Sequence, residues 1–242
     1  MIVTETGQMD RFEQYCLGQD GLFGVKDLQP LPPVLSENVQ LIKSWAKHNH
    51  DIVLAICRAL ATELGIPVNT FADLHDPSKP CGTVMRLLRT EASLTPEDQR
   101  TAMIHHTDTG TITLLANVIG GLQILPGGDP KDNGAWRWFK PQPGKLLVNL
   151  GDIFVSWTGG ILRSNVHRIR YAPGQQSHLD RYSLTFSARP MADATMHRIG
   201  DLGQESDLNS DMTATEFEWY KMRLLKQGKW PMITLGGKIL SA

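Results

Sequence analysis

A histidine and an aspartate stand two residues apart in the segment IHHTDTG (residues 104–110), at His106 and Asp108. In an extended segment, residues i and i+2 point to the same face, so this imidazole and this carboxylate can aim at one point. Two histidines and one carboxylate on one face are the ligand set of non-haem iron(II) sites. His106 and Asp108 are therefore candidate metal ligands. His105 is not in register with an acid, because position 107 is threonine.

The same triplet occurs a second time, as His178-Leu179-Asp180. A His-x-Asp triplet alone therefore says little, and its context must decide. His178 lies in the polar stretch PGQQSHLD, which is typical of a solvated loop, and the histidine that follows it, His197, lies in another polar region. We expect His178 not to bind metal.

A third ligand is predicted at His167, in the strand-like run SNVHRIR that follows the turn at Gly151-Asp152. A barrel places strands from distant parts of the chain side by side, so a long gap between ligands is expected. An isolated histidine in a strand more often packs in the core or faces solvent. The interpretation of His167 as a ligand thus depends on the motifs around it.

Arg181 and Ser183 open the last strand-like run and share one of its faces. A guanidinium binds a carboxylate through two parallel hydrogen bonds, and a nearby hydroxyl can add a third. Such a pair is suited to hold the carboxylate of an organic acid. Taken alone, the sequence RYS would favour an ordinary surface arginine.

Eight short apolar runs, separated by Gly, Pro, Asn or Asp, fill the chain between about residues 81 and 190. They are VMRLLR, TAMIHH, TITLLA, GLQIL, WRWFK, KLLVNL, VHRIRY and YSLTFSA. Their number and spacing predict a sandwich or a jelly-roll barrel. A parallel α/β fold is disfavoured, because the connections are too short for crossover helices.

Helical patterns flank these strands. Ser36 is a candidate N-cap of a long helix that ends at Gly65 and Pro67, and a shorter helical segment is predicted around residues 10–16. Thr213-x-x-Glu216 matches a capping box for a further helix. We expect one domain over residues 1–242: helical support over 1–80, a barrel with the metal site over 81–190, and a tail with a helix over 191–242. The fold class is mainly β with flanking helices.

Charge and composition exclude several classes of partner. Acidic and basic residues number 25 and 24, with no long run of one sign, which argues against nucleic acid or an anionic membrane surface. No apolar stretch approaches the roughly 18 residues of a membrane span, and the first residues lack the pattern of a secretory signal. The three cysteines show no CxxC spacing, so neither a disulfide framework nor a thiolate metal site is expected. The sequence indicates a cytoplasmic protein.

In order, the segments HTDTGTITLL, GLQIL, PGKLLVNLGD, WTGGILRSNVHR and RYSLTFSARP resemble the isopenicillin N synthase-like branch of the 2-oxoglutarate/Fe(II) oxygenases. The resemblance covers about residues 85–190. It implies a double-stranded β-helix fold, Fe(II) bound by His106, Asp108 and His167, and 2-oxoglutarate bound by Arg181 and Ser183.

The activity implied by the resemblance is oxidation of a small organic molecule by O2, with 2-oxoglutarate converted to succinate and CO2. Hydroxylation, desaturation and ring formation remain open, and the sequence resembles fungal members of secondary metabolism. Four residues are predicted to border the substrate: Thr90, where the family often has a tyrosine nearby, and Leu122, Trp157 and Leu162 beside the metal strands. Plain core packing is the alternative for the last three.

Two departures from the family pattern are visible. Gly159 stands in WTGG where the family commonly has W-T-N-G, and the family usually carries further strands before its first long helix. Without such strands one edge of the barrel would be open. Three other readings stay open: an iron oxidase of the same fold that does not use 2-oxoglutarate, a catalytically silent metal- or partner-binding protein, and a cupin-like barrel with another metal.

Overall fold

Two antiparallel sheets form the centre of the fold. The computed structural model describes residues 12–92, 101–204, 211–226, 234–235 and 238–239. The strands are β1 Phe12–Gly18, β2 Val84–Thr90, β3 Thr101–His106, β4 Ile112–Asn117, β5 Leu122–Leu125, β6 Arg137–Trp138, β7 Leu147–Leu150, β8 Val166–Arg170, β9 Arg181–Ala188, β10 Thr234–Leu235 and β11 Lys238–Ile239. The helices are α1 Gln19–Phe23, α2 Pro33–Glu37, α3 Val39–Glu63, α4 Asp152–Trp157 and α5 Ala214–Lys226.

The larger sheet has the strand order β1-β2-β9-β4-β7 and the smaller has the order β3-β8-β5-β6. From β2 to β5 each strand lies in the opposite sheet from the one before it, so the chain winds between the two sheets. This is the double-stranded β-helix, and it confirms the predicted fold class. Each of the eight predicted runs contains a strand, although WRWFK forms only the two residues of β6.

The long helix α3 packs on the larger sheet. Ile42, Val53 and Cys57 are buried, and the ring of Trp45 meets the ring of Phe186 on β9 edge to face. The predicted N-cap at Ser36 is wrong: Ser36 lies within α2, and Asn38 separates α2 from α3. The side chain of Asn38 donates to the carbonyl of Val34 instead of capping α3.

The N-terminal segment is a strand and not the predicted helix. Strand β1 pairs with β2 in antiparallel register from Phe12 opposite Thr90 to Gly18 opposite Val84. Tyr15 and Leu17 join the core on one face, and Phe12 and Gln14 turn to the other. A segment this short fits both the helical and the strand period. It forms a strand because it pairs with the free edge of β2. The predicted open edge at β2 is therefore covered by β1.

Helix α5 begins with the predicted capping box. The backbone N–H of Thr213 donates to the carboxylate of Glu216, and the N–H of Glu216 donates to the hydroxyl of Thr213. Among the described residues, no helix combines the length and apolar character needed to cross a membrane.

Candidate active site

Three side chains converge at one end of the barrel. The Nε2 atoms of His106 and His167 lie 3.9 Å and 3.8 Å from Oδ1 of Asp108, and the ligand atoms of all three residues lie within 4.8 Å of one another. In the part of the chain that the structure describes, this is the one such group of three His, Cys, Asp or Glu residues. The three residues predicted as metal ligands are thus brought together.

Sheet register explains why residues so distant in sequence meet. Strands β3 and β8 are antiparallel, and His106 lies directly opposite His167 in that pair. Asp108 follows in the turn after β3. Each imidazole places Nδ1 against a backbone carbonyl, that of Ile104 for His106 at 2.9 Å and that of Asn165 for His167 at 3.1 Å. When Nδ1 donates to these carbonyls, the Nε2 lone pairs face the cavity as metal ligands require.

The protonation states of His106 and Asp108 also suit a cation. Burial and, to a smaller extent, the neighbouring His167 lower the pKa of His106 to about 3, so this ring is neutral at pH 7. Burial acts to raise the pKa of Asp108, but the two imidazoles and hydrogen bonds from Asn149 and Thr113 outweigh it, so this pKa lies well below its usual range. A neutral imidazole at His106 and an ionised carboxylate at Asp108 fit the ligand preference of iron(II).

A buried ion pair supports the turn that carries Asp108. Lys221 of α5 contacts Asp152, and both side chains are almost fully buried. The hydroxyl of Thr107 donates to the same carboxylate at 2.9 Å, and the backbone N–H of Asp152 donates to the carbonyl of Asp108. In the sequence, Asp152 stands out only as part of a turn, and the pattern around Lys221 gives no sign of this contact.

Close backbone contact completes the support of the turn. At Gly151 an added Cβ would collide with the carbonyl oxygen of Gly110, so only glycine fits there. The N–H of Gly151 donates to the carbonyl of Thr111 at 2.8 Å. The turn that holds Asp108 is therefore fixed to the start of α4 through the main chain.

Arg181 and Ser183 line the same cavity. The guanidinium of Arg181 is nearly buried; its Nε donates to the carbonyl of Gly120 at 2.9 Å and its Nη1 to the hydroxyl of Ser183 at 3.0 Å. Its Nη2 is buried and has no hydrogen-bond partner. Burial lowers the pKa of Arg181 to about 10, which still leaves it charged at pH 7. A buried cation with an unused donor needs an anion, and a ligand carboxylate supplies one.

The cavity that contains these residues has a volume of about 380 Å³. Thr90 and Leu122, two of the residues predicted to border the substrate, line it. Trp157 and Leu162 do not, and that prediction is wrong. The indole of Trp157 is buried, stacks on Phe71 and donates to the carbonyl of Thr195, because α4 turns it into the core behind the barrel. Leu162 packs against the same core.

Arg89 and the second His-x-Asp triplet lie outside the cavity. Arg89 is on the opposite face of β2 from Thr90 and pairs with Asp180 at 2.8 Å and Glu13 at 3.3 Å. His178 is exposed at the end of a short 3₁₀ helix. The carboxylate of Asp180 is used by Arg89 and by the N–H of Ala92, so it is not free to join His178 at a metal.

Four residues at the site were not predicted: Arg86, Asn149, Arg189 and Lys221. A signal existed for Arg86, since it shares the period-two face of β2 with Thr90. Asn149 precedes Gly151 by two residues in PGKLLVNLGD, and its amide donates to Oδ2 of Asp108 at 2.7 Å. Lys221 lies on a distant helix, and its spacing gave no indication of contact with the turn.

Residues 81–190 match the model of the 2OG-Fe(II) oxygenase superfamily. The chain is 31% identical over 175 residues to a 2-oxoglutarate-dependent dioxygenase of Aspergillus fumigatus, covering 66% of this chain and 45% of that protein. It is 29% identical over 171 residues to the 2-oxoglutarate-dependent dioxygenase iboH of Amanita muscaria, covering 70% of this chain and 81% of that protein. The chain thus spans only about half the length of the Aspergillus relative.

The fold likeness extends beyond the matched segment. The crystal structure of a dioxygenase for auxin oxidation in rice superposes with a TM-score of 0.66 at 22% identity, over 93% of this chain and 71% of that one. The match of residues 81–190 contains all five residues predicted to bind iron and co-substrate. Over residues 81–190, the chain is therefore similar to the 2OG-Fe(II) oxygenase superfamily.

Proposed function

We propose that the chain is an Fe(II)- and 2-oxoglutarate-dependent dioxygenase that oxidises a small organic molecule. His106, Asp108 and His167 bind the iron, and Arg181 and Ser183 bind the co-substrate. The observation that carries the proposal is that a metal-ligating triad and a buried arginine with an unused donor share one cavity. The relatives from Aspergillus fumigatus and Amanita muscaria are named as dioxygenases of this kind, which supports the same reaction.

The arginine favours 2-oxoglutarate use over the iron oxidase reading. Arg181 has no described acidic partner, and its Nη2 lacks any hydrogen bond. The far carboxylate of 2-oxoglutarate would accept from Nη2 and from the hydroxyl of Ser183. A charge-assisted hydrogen bond of this kind contributes roughly 1.5–3 kcal/mol. An oxidase that binds no organic acid would leave this buried cation uncompensated.

Neighbouring groups orient the three proposed iron ligands. The carbonyls of Ile104 and Asn165 orient the two imidazoles. The amide of Asn149 donates to Oδ2 of Asp108, which leaves Oδ1 directed at the Nε2 atoms of His106 and His167. The apolar walls of the cavity, which include Leu88 and Leu115, keep water away from the reacting groups.

When both are bound, Fe(II) and 2-oxoglutarate supply the oxidising power, with O2 consumed and succinate and CO2 formed. The cavity volume falls in the usual range for small-molecule sites, which supports a small organic substrate.

The test is an anaerobic titration of the purified chain with Fe(II) and 2-oxoglutarate, followed by admission of O2. We expect a visible metal-to-ligand charge-transfer band on adding 2-oxoglutarate and succinate after O2 enters. A band without succinate would point to a silent member. Bound iron without a band would favour the oxidase reading, and absence of iron binding would overturn the proposal.

A further inference from the structure

Arg86 is a cation that lines the cavity and has no acidic partner among the described residues. Lys221 pairs with Asp152, Arg189 pairs with Glu218 at 2.9 Å, and Arg181 is suited to the co-substrate. Arg86 also lines the cavity, and its one hydrogen bond runs from Nη1 to the hydroxyl of Ser187 at 2.9 Å. Across the described ranges, no carboxylate lies within ion-pair distance of it.

The strand register places this guanidinium near the metal ligands. Ser187, which accepts from Arg86, lies opposite Thr113 on β4, and Thr113 hydrogen-bonds to Asp108. Arg181 instead lies opposite Thr90, four residues further along β2 than Arg86. At roughly 3.3 Å per residue the two positions are separated by about 13 Å along the strand. Arg86 is thus placed to bind a group beside the metal and not the co-substrate carboxylate at Arg181.

A second unused donor lies next to it. Thr185 is directly opposite Arg86 in the β2–β9 pair and lines the cavity, and its hydroxyl is buried without a hydrogen-bond partner. Arg86, Thr185 and Ser187 together offer a guanidinium and two hydroxyls on adjacent strands. A planar carboxylate, which accepts several hydrogen bonds at once, satisfies such a set.

The local charge favours an anion over a neutral polar group. Burial lowers the pKa of Arg189, the carboxylates of Glu218 and Asp108 oppose that shift, and the charge of Arg86 adds to it, as expected for two neighbouring arginines that repel each other. An anion at Arg86 would relieve this repulsion. The remaining walls are mostly apolar, among them Phe12, Leu115, Ile124 and Leu147. The matching ligand combines one carboxylate with an apolar body.

We propose that Arg86, assisted by Thr185 and Ser187, binds a carboxylate of the molecule that is oxidised, so that the substrate is an apolar carboxylic acid. This inference rests on the proposed function and names the substrate class of the same site. Arg86 is then a specificity-determining residue, and Arg181 serves the co-substrate alone.

The experiment begins with the anaerobic complex of the chain with Fe(II) and saturating 2-oxoglutarate. A panel of aryl and alkyl monocarboxylic acids is titrated into it, each beside its primary amide, which has nearly the same shape and no charge. Binding is followed by calorimetry and by perturbation of the charge-transfer band. We expect acids to bind at least about tenfold more tightly than their amides, as a charge-assisted contact predicts.

Arg86→Gln should remove that preference while the Kd for 2-oxoglutarate stays within about twofold, and Arg86→Lys should keep part of it because it retains the charge. Arg223→Gln, an exposed arginine on α5, is the matched control and should behave as wild type. Thermal unfolding of each variant verifies that it is folded.

Three results would overturn the inference: amides binding as tightly as acids, no acid binding at all, or an acid preference that survives in Arg86→Gln. An Arg86→Gln variant that loses 2-oxoglutarate instead would assign Arg86 to the co-substrate. Failure of the proposed function is separate, because the band would then be absent before any acid is added.

Discussion

Two His-x-Asp triplets in one chain show that residue type and spacing do not make a metal site. His106 of the first triplet lies opposite His167 across a strand pair, whereas Asp180 of the second triplet is paired with Arg89. We predict that His106→Ala and Asp108→Ala abolish tight Fe(II) binding, since each removes one of the three proposed protein ligands. His178→Ala is the matched control and should bind Fe(II) as wild type does. Equilibrium dialysis with metal analysis measures this; loss of iron in the His178 variant would contradict the ligand assignment.

Arg181 is the residue proposed to hold the carboxylate of 2-oxoglutarate, because its buried Nη2 has no hydrogen-bond partner. We predict that Arg181→Ala weakens 2-oxoglutarate binding by roughly 1.5–3 kcal/mol, about tenfold to a hundredfold in Kd, through loss of a charge-assisted contact. Iron affinity should stay near the wild-type value, because Arg181 contacts no ligand of the triad. An anaerobic titration of the charge-transfer band gives the affinity for 2-oxoglutarate and the affinity for iron. Arg137→Ala, an exposed arginine outside the cavity, should leave both unchanged.

How far single residues could be predicted depended on strand periodicity. Period-two alternation placed His106 on one face with Asp108, and Arg181 on one face with Ser183. The prediction of His167 depended on the motifs around it, and that of Thr90 on the family resemblance. The same rule would have added Arg86 from Thr90. Trp157 was misplaced because its segment forms a helix, α4, which points the indole into the core. Large aromatic side chains bury readily, and the local sequence does not say on which side of a sheet.

Helix α5 contacts the turn that carries Asp108 through Lys221. Lys221→Met leaves Asp152 buried without its cation, and breaking a buried pair typically costs about 3–5 kcal/mol. Because Asp152 also holds the main chain of Asp108, we predict weaker Fe(II) binding as well as a lower midpoint of unfolding. Lys221→Arg should restore part of both.

Arg223→Met, on an exposed position of the same helix, is the control and should change neither property. The iron titration separates positioning from stability, since it is done well below the unfolding midpoint of each variant. Unchanged iron affinity in Lys221→Met would show that the pair serves stability alone.

The 3₁₀ turn Asp73–His75 joins the helical layer to the barrel through a buried histidine. Nδ1 of His75 lies 2.7 Å from the carbonyl oxygen of Phe71, and Nε2 lies 2.8 Å from the hydroxyl oxygen of Thr111. Burial lowers the pKa of His75 to about 4 from the ordinary 6.5. Above pH 6.5 the imidazole of His75 is neutral in both the folded and the unfolded chain. Between pH 6.5 and 4 the unfolded chain binds a proton that the folded chain does not, so stability falls as pH falls.

We predict that this histidine lowers the free energy of unfolding by about 1.4 kcal/mol per pH unit over that window, or roughly 3 kcal/mol in all. Urea unfolding at several pH values measures it. His75→Gln should flatten this dependence, and His48→Gln, at an exposed position, should not. Equal pH profiles for wild type and His75→Gln would remove His75 as the cause.

For the whole molecule, the eight barrel strands and the flanking helices α3 and α5 were predictable, because each carries a strong period or cap. Strand β1 was not, since its seven residues have no clear period of their own and take their structure from β2. Long-range pairing of this kind leaves little local signal. The convergence of the three ligands was predictable only as an expectation, because it depends on the register of β3 and β8.

Strand β1 closes the larger sheet and supplies Phe12 and Gln14 to the cavity wall, so its anchoring matters for the whole barrel. Leu17 is its fully buried residue. We predict that Leu17→Ala lowers the free energy of unfolding by about 2–5 kcal/mol, the usual cost of such a truncation in a core. Leu41→Ala removes the same atoms from a side chain that is 69% exposed and should change stability by less than about 0.5 kcal/mol. Urea unfolding of the two variants compares them directly. Equal stability would mean that β1 contributes little to the barrel, and that β2 is in effect its edge.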